Sequence, residues 1–244
     1  MFPFRLYFAI LFCSVTAWAN SVDYSEYDRL LKAYVDEDGV RYQAWHDNEA
    51  DVEALNTFLE EAAKVDVPSL SKEEQKAFYI NLYNAAMLQI VLEKYPLKSV
   101  KYIGLMPFSI FKKERIPQGD QLLSLDMIEK GILLKEYFDP RIHFAVNCAS
   151  ESCPPLRNEP FVGEKLEQQL DEQTRKFANS RHAARTNKRY RKTAYSELFK
   201  WYQDDFPVSN PAEYLNQYRE KPLDPSFGVL WIRYDWSLNE SNKH

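Results

Sequence analysis

The stretch between Ser71 and Pro96 constrains the fold more than any other part of the chain. Ser71 and Glu74 have the spacing of a capping box, and Tyr95-Pro96 ends the pattern, so a long helix is predicted between them. Apolar positions widen into a broad stripe formed by Phe78, Leu82, Ala85, Ala86, Ile90 and Val91, with Gln89 along it. A helix that is apolar on most sides must be covered from several directions, so we predict that it is largely buried.

Two asparagines interrupt this apolar helix. Asn81 and Asn84 are three residues apart and therefore lie on neighbouring turns. Buried amides need hydrogen-bond partners, which makes both positions informative.

The N-terminus has the features of a cleavable secretory signal. Arg5 precedes an apolar run over residues 6–15, and Ala17-Trp18-Ala19 provides small residues where a signal peptidase reads them. We therefore predict a signal peptide over residues 1–19, loss of Cys13 with it, and a periplasmic or secreted protein. The apolar run is shorter than the roughly 20 residues of a membrane span, and no later segment approaches that length, so no transmembrane segment is expected after cleavage.

The predicted mature chain, residues 20–244, is expected to form a single globular domain, because no repeat, low-complexity stretch or linker divides it. It carries 30 basic and 36 acidic side chains, a net charge of −6. This balance argues against nucleic acid as a general partner.

Helical and strand patterns follow one another along the mature chain. Further helices are predicted over residues 25–34, 50–63, 125–134, 163–178, 197–205 and 211–219. Strands are predicted over residues 112–117 and 121–123, paired as a hairpin, and over residues 141–147 and 228–236. The fold class is therefore α+β: a helix-rich single domain around a small, mainly antiparallel sheet, with an element order similar to that of papain-like and transglutaminase-like enzymes.

The strand predicted over residues 141–147 alternates. Arg141, His143 and Asn147 would share one face, while Ile142 and Phe144 would face the core. This polar face could meet Asn81, Asn84 and Glu129 from the preceding helices. A histidine can titrate near neutrality and an arginine can bind an anion, so we take His143 and Asn147 as candidate catalytic residues and Asn81, Asn84, Glu129 and Arg141 as candidate ligand-binding residues. A purely structural hydrogen-bond network is the alternative.

Several motifs occur together in one order along the mature chain. They are Gly39-Val40-Arg41-Tyr42, Asn81-Leu82-Tyr83-Asn84-Ala85, Leu123 to Glu129, Asp139 to Ala145, Ser152-Cys153-Pro154-Pro155-Leu156, Trp201 to Phe206, and Tyr234 to Asn239. In this the chain resembles the domain-of-unknown-function family 547. Members often carry His where this chain has Lys130, so that position departs from the family pattern. The resemblance implies a fold and a site position rather than a reaction.

The two cysteines of the mature chain, Cys148 and Cys153, are predicted to form a disulfide in an oxidising compartment. A metal site at His143 and the two cysteines would lack a fourth ligand, so neither a metal nor another cofactor is expected.

Three classes of function stay open. We favour a cell-envelope binding module built round the polar His/Asn/Arg cluster, with an unidentified envelope ligand or protein as its partner. The alternative is a papain/transglutaminase-like hydrolase or transferase that uses Cys153 or Cys148 with His143, and Cys153 is included among the candidate catalytic residues for that reason. Because Cys148 would face away from His143 on an unbroken strand, that alternative is the less favoured one. A scaffold with a structural polar cluster is the third.

Overall fold

The computed structural model describes residues 22–241, so the predicted signal peptide lies outside the described residues. Ten α-helices occur in this part of the chain: α1 Ser25–Tyr34, α2 Tyr42–His46, α3 Glu49–Ala62, α4 Lys72–Lys94, α5 Ser109–Lys112, α6 Leu134–Tyr137, α7 Ile142–Ala145, α8 Leu166–Ala178, α9 Leu198–Trp201 and α10 Pro211–Leu215. Its strands are β1 Val35–Asp36, β2 Gly39–Val40, β3 Ile116–Gln118, β4 Gln121–Leu123, β5 Ala184–Asn187, β6 Lys192–Ser196 and β7 Gly228–Ile232.

Helix α4 is the buried centre of the domain, as its sequence predicts. The Ser71 hydroxyl accepts a hydrogen bond from the Glu74 backbone N–H at 3.2 Å and fixes the start of the helix. Most residues from Ala77 to Leu92 are buried. Helix α3 packs against α4, and α1 packs against α3. The apolar side chains of these helices form the larger of two hydrophobic clusters.

The strands form three small sheets. β1 pairs with β2 and β3 with β4, each antiparallel, and the third sheet has the order β5-β6-β7. β5 and β6 are antiparallel, whereas β6 and β7 are parallel. The predicted α+β class, rich in helix with mainly antiparallel strands, is confirmed. Several predicted elements are shorter than expected. α9 stops at Trp201, α10 at Leu215 and β7 at Ile232. The strand predicted from residue 112 begins only at Ile116, because Ser109–Lys112 form α5.

The helix predicted after Ser124 contains a π-helical turn. Ser124 Oγ accepts from the Met127 N–H at 3.1 Å, as expected for an N-cap, and the chain is then π-helical over Met127–Leu133 before α6. π-Helical turns are rare and frequently occur at functional sites. This one carries Glu129, which is buried.

The prediction of a strand over residues 141–147 is wrong. Residues Ile142–Ala145 form the short helix α7, and extended backbone begins only at Val146. The Asp139 carbonyl accepts from the Ile142 N–H at 3.0 Å, so a helical turn starts directly after Pro140. Phe144 packs in the smaller hydrophobic cluster, while Ile142 and Ala145 pack in the larger one. The helical turn therefore directs Phe144 into one cluster and Ile142 and Ala145 into the other, whereas a strand would place Ile142 and Phe144 on the same face.

Within residues 22–241, no helix combines the length and the apolar character that crossing a membrane requires.

Candidate functional site

A pocket of about 580 Å³ opens beside α7 and the segment that follows it. Its walls come from α4, α5, the π-helical turn, α7, α9 and the chain after β7. The lining residues are Tyr83, Lys101, Phe108, Phe111, Lys112, Asp126, Glu129, Lys130, His143, Val146, Cys148, Cys153, Pro154, Leu198, Trp201, Tyr202, Tyr234 and Trp236. The pocket therefore combines aromatic walls with titratable groups of catalytic type: two thiols, an imidazole and two carboxylates.

His143 is held in one orientation by its neighbours. Its ring lies 4.1 Å from the Tyr202 ring and 5.5 Å from the Phe206 ring, measured between centroids. His143 Nε2 is 2.8 Å from Asp205 Oδ2, so Nε2–H donates to this carboxylate and Nδ1 is the nitrogen left for proton transfer. Burial lowers the pKa of His143, and the hydrogen bond to Asp205 opposes that shift. The imidazole is thus neutral and oriented near pH 7.

Glu129 lies on the other side of Tyr202. Its Oε1 accepts a hydrogen bond from the Tyr202 hydroxyl at 2.8 Å. Burial, together with the Glu129 charge, raises the pKa of Tyr202 and keeps that hydroxyl protonated as a donor. The negative charge of Glu129 also favours the protonated form of His143 and so raises its pKa. Glu129 can therefore stabilise an imidazolium that forms during a reaction.

Cys148 and Cys153 are both free thiols, so the predicted disulfide is not formed. The prediction rested on compartment and on the lack of other cysteines, and neither fixes the geometry of the two sulfurs. Cys153 Sγ accepts from the Cys148 backbone N–H at 3.0 Å. The two side chains are partly exposed, and both line the pocket.

The two thiols differ in acidity. Cys148 Sγ lies 3.0 Å from Ser150 Oγ and 3.4 Å from the Tyr234 hydroxyl. A hydrogen bond from the Cys153 thiol, with smaller contributions from these two hydroxyls, lowers the pKa of Cys148. Burial and the neighbouring Cys148 raise the pKa of Cys153. Cys148 is the better nucleophile of the pair, since the thiolate is the reactive form.

The asparagines predicted as ligand-binding residues bind the backbone instead. Asn81 donates to the Phe161 carbonyl at 2.7 Å and accepts from the Phe161 N–H at 2.9 Å. Asn84 donates to the Ala145 carbonyl at 3.0 Å and accepts from the Asn147 N–H at 2.8 Å. Each amide therefore joins α4 to a neighbouring segment, and neither side chain lines the pocket.

Asn147 closes the loop that carries the cysteines. Its Nδ2 donates to the Pro154 carbonyl at 2.8 Å, and its Oδ1 accepts from the Ala149 N–H at 2.9 Å. Asn239 Nδ2 also donates to this oxygen, at 3.3 Å. These contacts engage both the oxygen and the nitrogen of the amide, so the candidate catalytic residue Asn147 supports the loop, and it does not line the pocket.

Arg141 points into an ion-pair network away from the pocket lining. It contacts Asp139 at 2.8 Å, Glu167 at 2.6 Å and Asp171 at 2.8 Å. Of the predicted site residues, the structure thus brings together Glu129, His143 and Cys153, with Cys148, while Asn81, Asn84, Arg141 and Asn147 lie behind or beside them.

Several residues in or around the pocket were not predicted from the sequence. Asp205 and Tyr202 lie about 60 residues after His143 and contact it only through the fold. The motif Trp201 to Phe206 was a usable signal, because it groups an acid and a tyrosine within one short segment. Nothing in the sequence pattern pointed to Ser150 as a partner of the Cys148 thiol. Among residues 22–241, no three His, Cys, Asp or Glu side chains are grouped as a metal site would need.

The comparisons with known proteins agree with the resemblance seen in the sequence. The family described as "Protein of unknown function, DUF547" matches residues 67–178. This segment is therefore similar to the DUF547 family. The DUF547 segment contains Glu129, His143, Cys148 and Cys153, whereas the pocket walls from Trp201 onward lie beyond it. No curated protein and no solved structure matches the chain.

Proposed function

We propose that this protein is a thiol enzyme that hydrolyses or transfers acyl groups, with Cys148 as the nucleophile and His143 as the acid and base. The observation that carries the proposal is that a thiol with a lowered pKa and a buried, carboxylate-bound histidine line the same pocket. Perturbed titratable groups gathered in one cleft are typical of active sites. The expectation that Cys148 faces away from His143 depended on a strand, and residues Ile142–Ala145 are helical.

The reaction divides into two steps. In the first, the neutral His143 takes the proton of the Cys148 thiol and Cys148 Sγ forms a bond to the substrate carbonyl carbon. The imidazolium formed in this way then gives that proton to the leaving group as its bond to the carbonyl carbon breaks. In the second, His143 removes a proton from water or from an acceptor amine or alcohol, which attacks the thioester and releases the Cys148 thiolate. Asp205 holds the imidazole in one orientation through both steps, as the third member of a triad does.

The pocket walls indicate the kind of acyl group that would fit. Trp236 packs against Trp201 at 5.9 Å and against Phe108 at 4.7 Å, which gives an apolar wall. Lys101 and Lys112 also line the pocket, and neither forms an ion pair within residues 22–241, whereas Lys130 is paired with Asp126 at 3.0 Å. An acyl group that is partly apolar and carries a negative charge would satisfy both features.

Alkylation by iodoacetamide, followed by mass spectrometry of the intact protein, tests the nucleophile. We expect rapid labelling at Cys148 near neutral pH, because its charged form is stabilised. Cys153→Ala is the matched control: it should retain labelling at Cys148 but require a higher pH, since the thiol donor is lost. Cys148 labelling that begins only above the ordinary thiol pKa of about 8.5 would contradict the proposal.

Turnover is tested with aryl esters whose acyl chains differ only in a terminal carboxylate. We expect acylated protein with wild type, none with Cys148→Ser, and a rate about 100- to 10,000-fold lower with His143→Asn. The carboxylate-bearing ester should react faster, and Lys101→Ala with Lys112→Ala should remove that preference. Equal turnover by wild type and Cys148→Ser would refute a role for the thiol.

A binding module of the cell envelope is the second candidate, and the aromatic walls beside unpaired lysines favour it. Such a module would keep its ligand affinity in Cys148→Ser and would form no covalent adduct with any ester. Both candidates suit an exported protein, as the pattern of residues 1–19 suggests. N-terminal sequencing of the protein from the periplasm or medium should begin at Asn20, and an intact Met1 would contradict export by cleavage.

A further inference from the structure

The strand β7 is an exposed apolar edge. It pairs with β6 on one side and has no strand on the other within the described chain. Its central residues Val229, Leu230 and Trp231 are 42%, 45% and 38% exposed. Soluble proteins usually protect such an edge with charge, proline or a covering element, because it invites pairing with another strand.

The hydrogen-bond register shows which backbone groups are left open. The Gly228 N–H donates to the Arg191 carbonyl at 2.9 Å, and Val229 is paired in register with Thr193. In a parallel ladder, alternate residues direct both backbone groups to the same neighbour. Gly228 and Leu230 therefore face β6, while Val229 and Trp231 direct their N–H and C=O groups outward. No backbone or side-chain group within residues 22–241 hydrogen-bonds to these outward groups.

The segments that adjoin β7 in the sheet and along the chain are rich in basic residues. Seven cations lie on or next to the strands of this sheet along the chain: Arg181, Arg185, Lys188, Arg189, Arg191, Lys192 and Arg233. Within the described chain only Arg181 among them forms an ion pair, with Glu151 at 3.6 Å. The whole chain has a net charge of −5, so this cluster is a local reversal of sign. Unpaired cations beside an open strand edge favour a negatively charged partner.

We propose that β7 binds an extended, acidic peptide segment of a partner protein, which adds to the sheet as a further strand. The open groups of Val229 and Trp231 would provide the main-chain hydrogen bonds, and the arginines would select acidic side chains. A nucleic acid or polysaccharide would satisfy the cations but not the apolar edge. A second copy of this chain would bring the same cations to the interface and repel.

A cavity next to β7 could accept a side chain of the added strand. It has a volume of about 500 Å³, and its lining includes Trp231 and Ile232 at the strand, three arginines and two carboxylates: Arg181, Arg185, Arg233, Glu151 and Asp235. Side chains of an added strand alternate in direction, so one of them would meet this cavity. Arg181 is paired with Glu151, whereas Arg185 and Arg233 form no ion pair within residues 22–241, so these two arginines are the ones that a carboxylate of the added strand would meet. The proposal does not depend on the chemistry of the thiol pocket, since none of these residues lines it.

Fluorescence anisotropy of a labelled nine-residue peptide that alternates valine with glutamate tests the proposal on the full chain. We expect saturable binding at physiological salt, and at least tenfold weaker binding of the same peptide with lysine in place of glutamate. Val229→Pro removes one outward N–H without touching the β6 ladder and should weaken binding at least tenfold. Arg185→Glu should do the same without any backbone change, so that the result stands if the proline variant fails to fold. Lys135→Glu, an exposed lysine on α6, is the matched control and should bind like wild type.

Three results would overturn the proposal. Equal affinity for the acidic and basic peptides would remove the role of the cations. Tighter binding of heparin or an oligonucleotide, weakened by Arg185→Glu but not by Val229→Pro, would assign the surface to a polyanion. A dimer in sedimentation equilibrium that Val229→Pro dissociates would assign the edge to a second copy.

Discussion

Replacement of Asn84 by alanine is the sharpest test of how the site is supported. The amide donates to the Ala145 carbonyl at 3.0 Å and accepts from the Asn147 N–H at 2.8 Å, on either side of Val146. Both bonds are buried, and they connect α4 to the chain between His143 and Cys148. We therefore expect Asn84→Ala to destabilise the fold because two backbone groups lose their partners at once.

The magnitude follows from those two groups. Leaving one buried backbone group without its partner costs about 1–3 kcal/mol, so the pair gives about 2–6 kcal/mol of unfolding free energy. For a domain of this size, each kcal/mol lowers the melting temperature by about 2–4 °C, which places the expected loss between about 4 and about 24 °C. Asn81→Ala should cost a similar amount, since Asn81 makes the same pair of bonds to Phe161.

Urea unfolding followed by far-UV circular dichroism measures the loss, and an unchanged dependence on urea concentration would show that the folded and unfolded states are otherwise comparable. Asn158→Ala is the control, because Asn158 is exposed and its replacement should change stability by less than about 0.5 kcal/mol. If Asn84→Ala matched this control while activity or ligand binding fell, the amide would be a ligand contact and our structural interpretation would be refuted.

Three other outcomes are expected. Phe144→Ala should cost about 3–5 kcal/mol in urea unfolding, because the ring is buried against Phe177; a loss under about 1 kcal/mol would contradict this packing. Burial lowers the pKa of His143, so the imidazole binds a proton more tightly in the unfolded chain, and the unfolding free energy falls as pH drops below about 6.5. Between pH 8 and pH 5, His143→Asn should therefore lose less unfolding free energy than wild type. An equal loss in both proteins would contradict the lowered pKa of His143. Gly39→Ala should lower the melting temperature by several degrees, since φ is 140° and the new Cβ would collide with the Asn239 carbonyl; an unchanged melting curve would contradict the close approach.

Local signals in the sequence were sufficient for the long helices and for one hairpin. Ser71 caps α4, and Pro96 follows its end, so both boundaries depend on neighbouring residues alone. The hairpin of β3 and β4 turns at Gly119, where φ is 56° and glycine is favoured. Such features need no knowledge of distant contacts, which is why they could be predicted.

The short helix α7 shows where this reasoning fails. Alternating apolar and polar residues over so few positions are compatible with a strand or with a helical turn. The helical turn is favoured because Phe144 packs in one hydrophobic cluster and Ile142 packs in the other. Because those clusters are assembled from distant segments, the sequence of residues 141–147 does not determine the outcome.

The residues of the site also fall into a predicted group and a missed group. His143, Glu129 and the two cysteines were identified from their residue types, and they do meet at one pocket. Asp205 was missed because its contact with His143 spans 62 residues. The asparagines were assigned to ligands because buried amides need partners, yet the backbone supplied those partners.

The supporting amides explain how a short loop can hold two thiols at different acidities. Ala149, between the cysteines, has φ of 58°, a left-handed conformation that costs a non-glycine residue free energy. Asn147 stabilises it by accepting from the Ala149 N–H and by donating to the Pro154 carbonyl beyond the second cysteine. This geometry brings the Cys148 N–H to 3.0 Å from Cys153 Sγ. The hydrogen bond between the Cys148 N–H and Cys153 Sγ joins two residues of the same loop. The loop conformation that permits it is stabilised by Asn84 of α4, which hydrogen-bonds to Ala145 and Asn147. The asparagines of the predicted polar cluster therefore support the pocket from behind, because Asn84 and Asn147 fix the loop and the loop positions the two thiols.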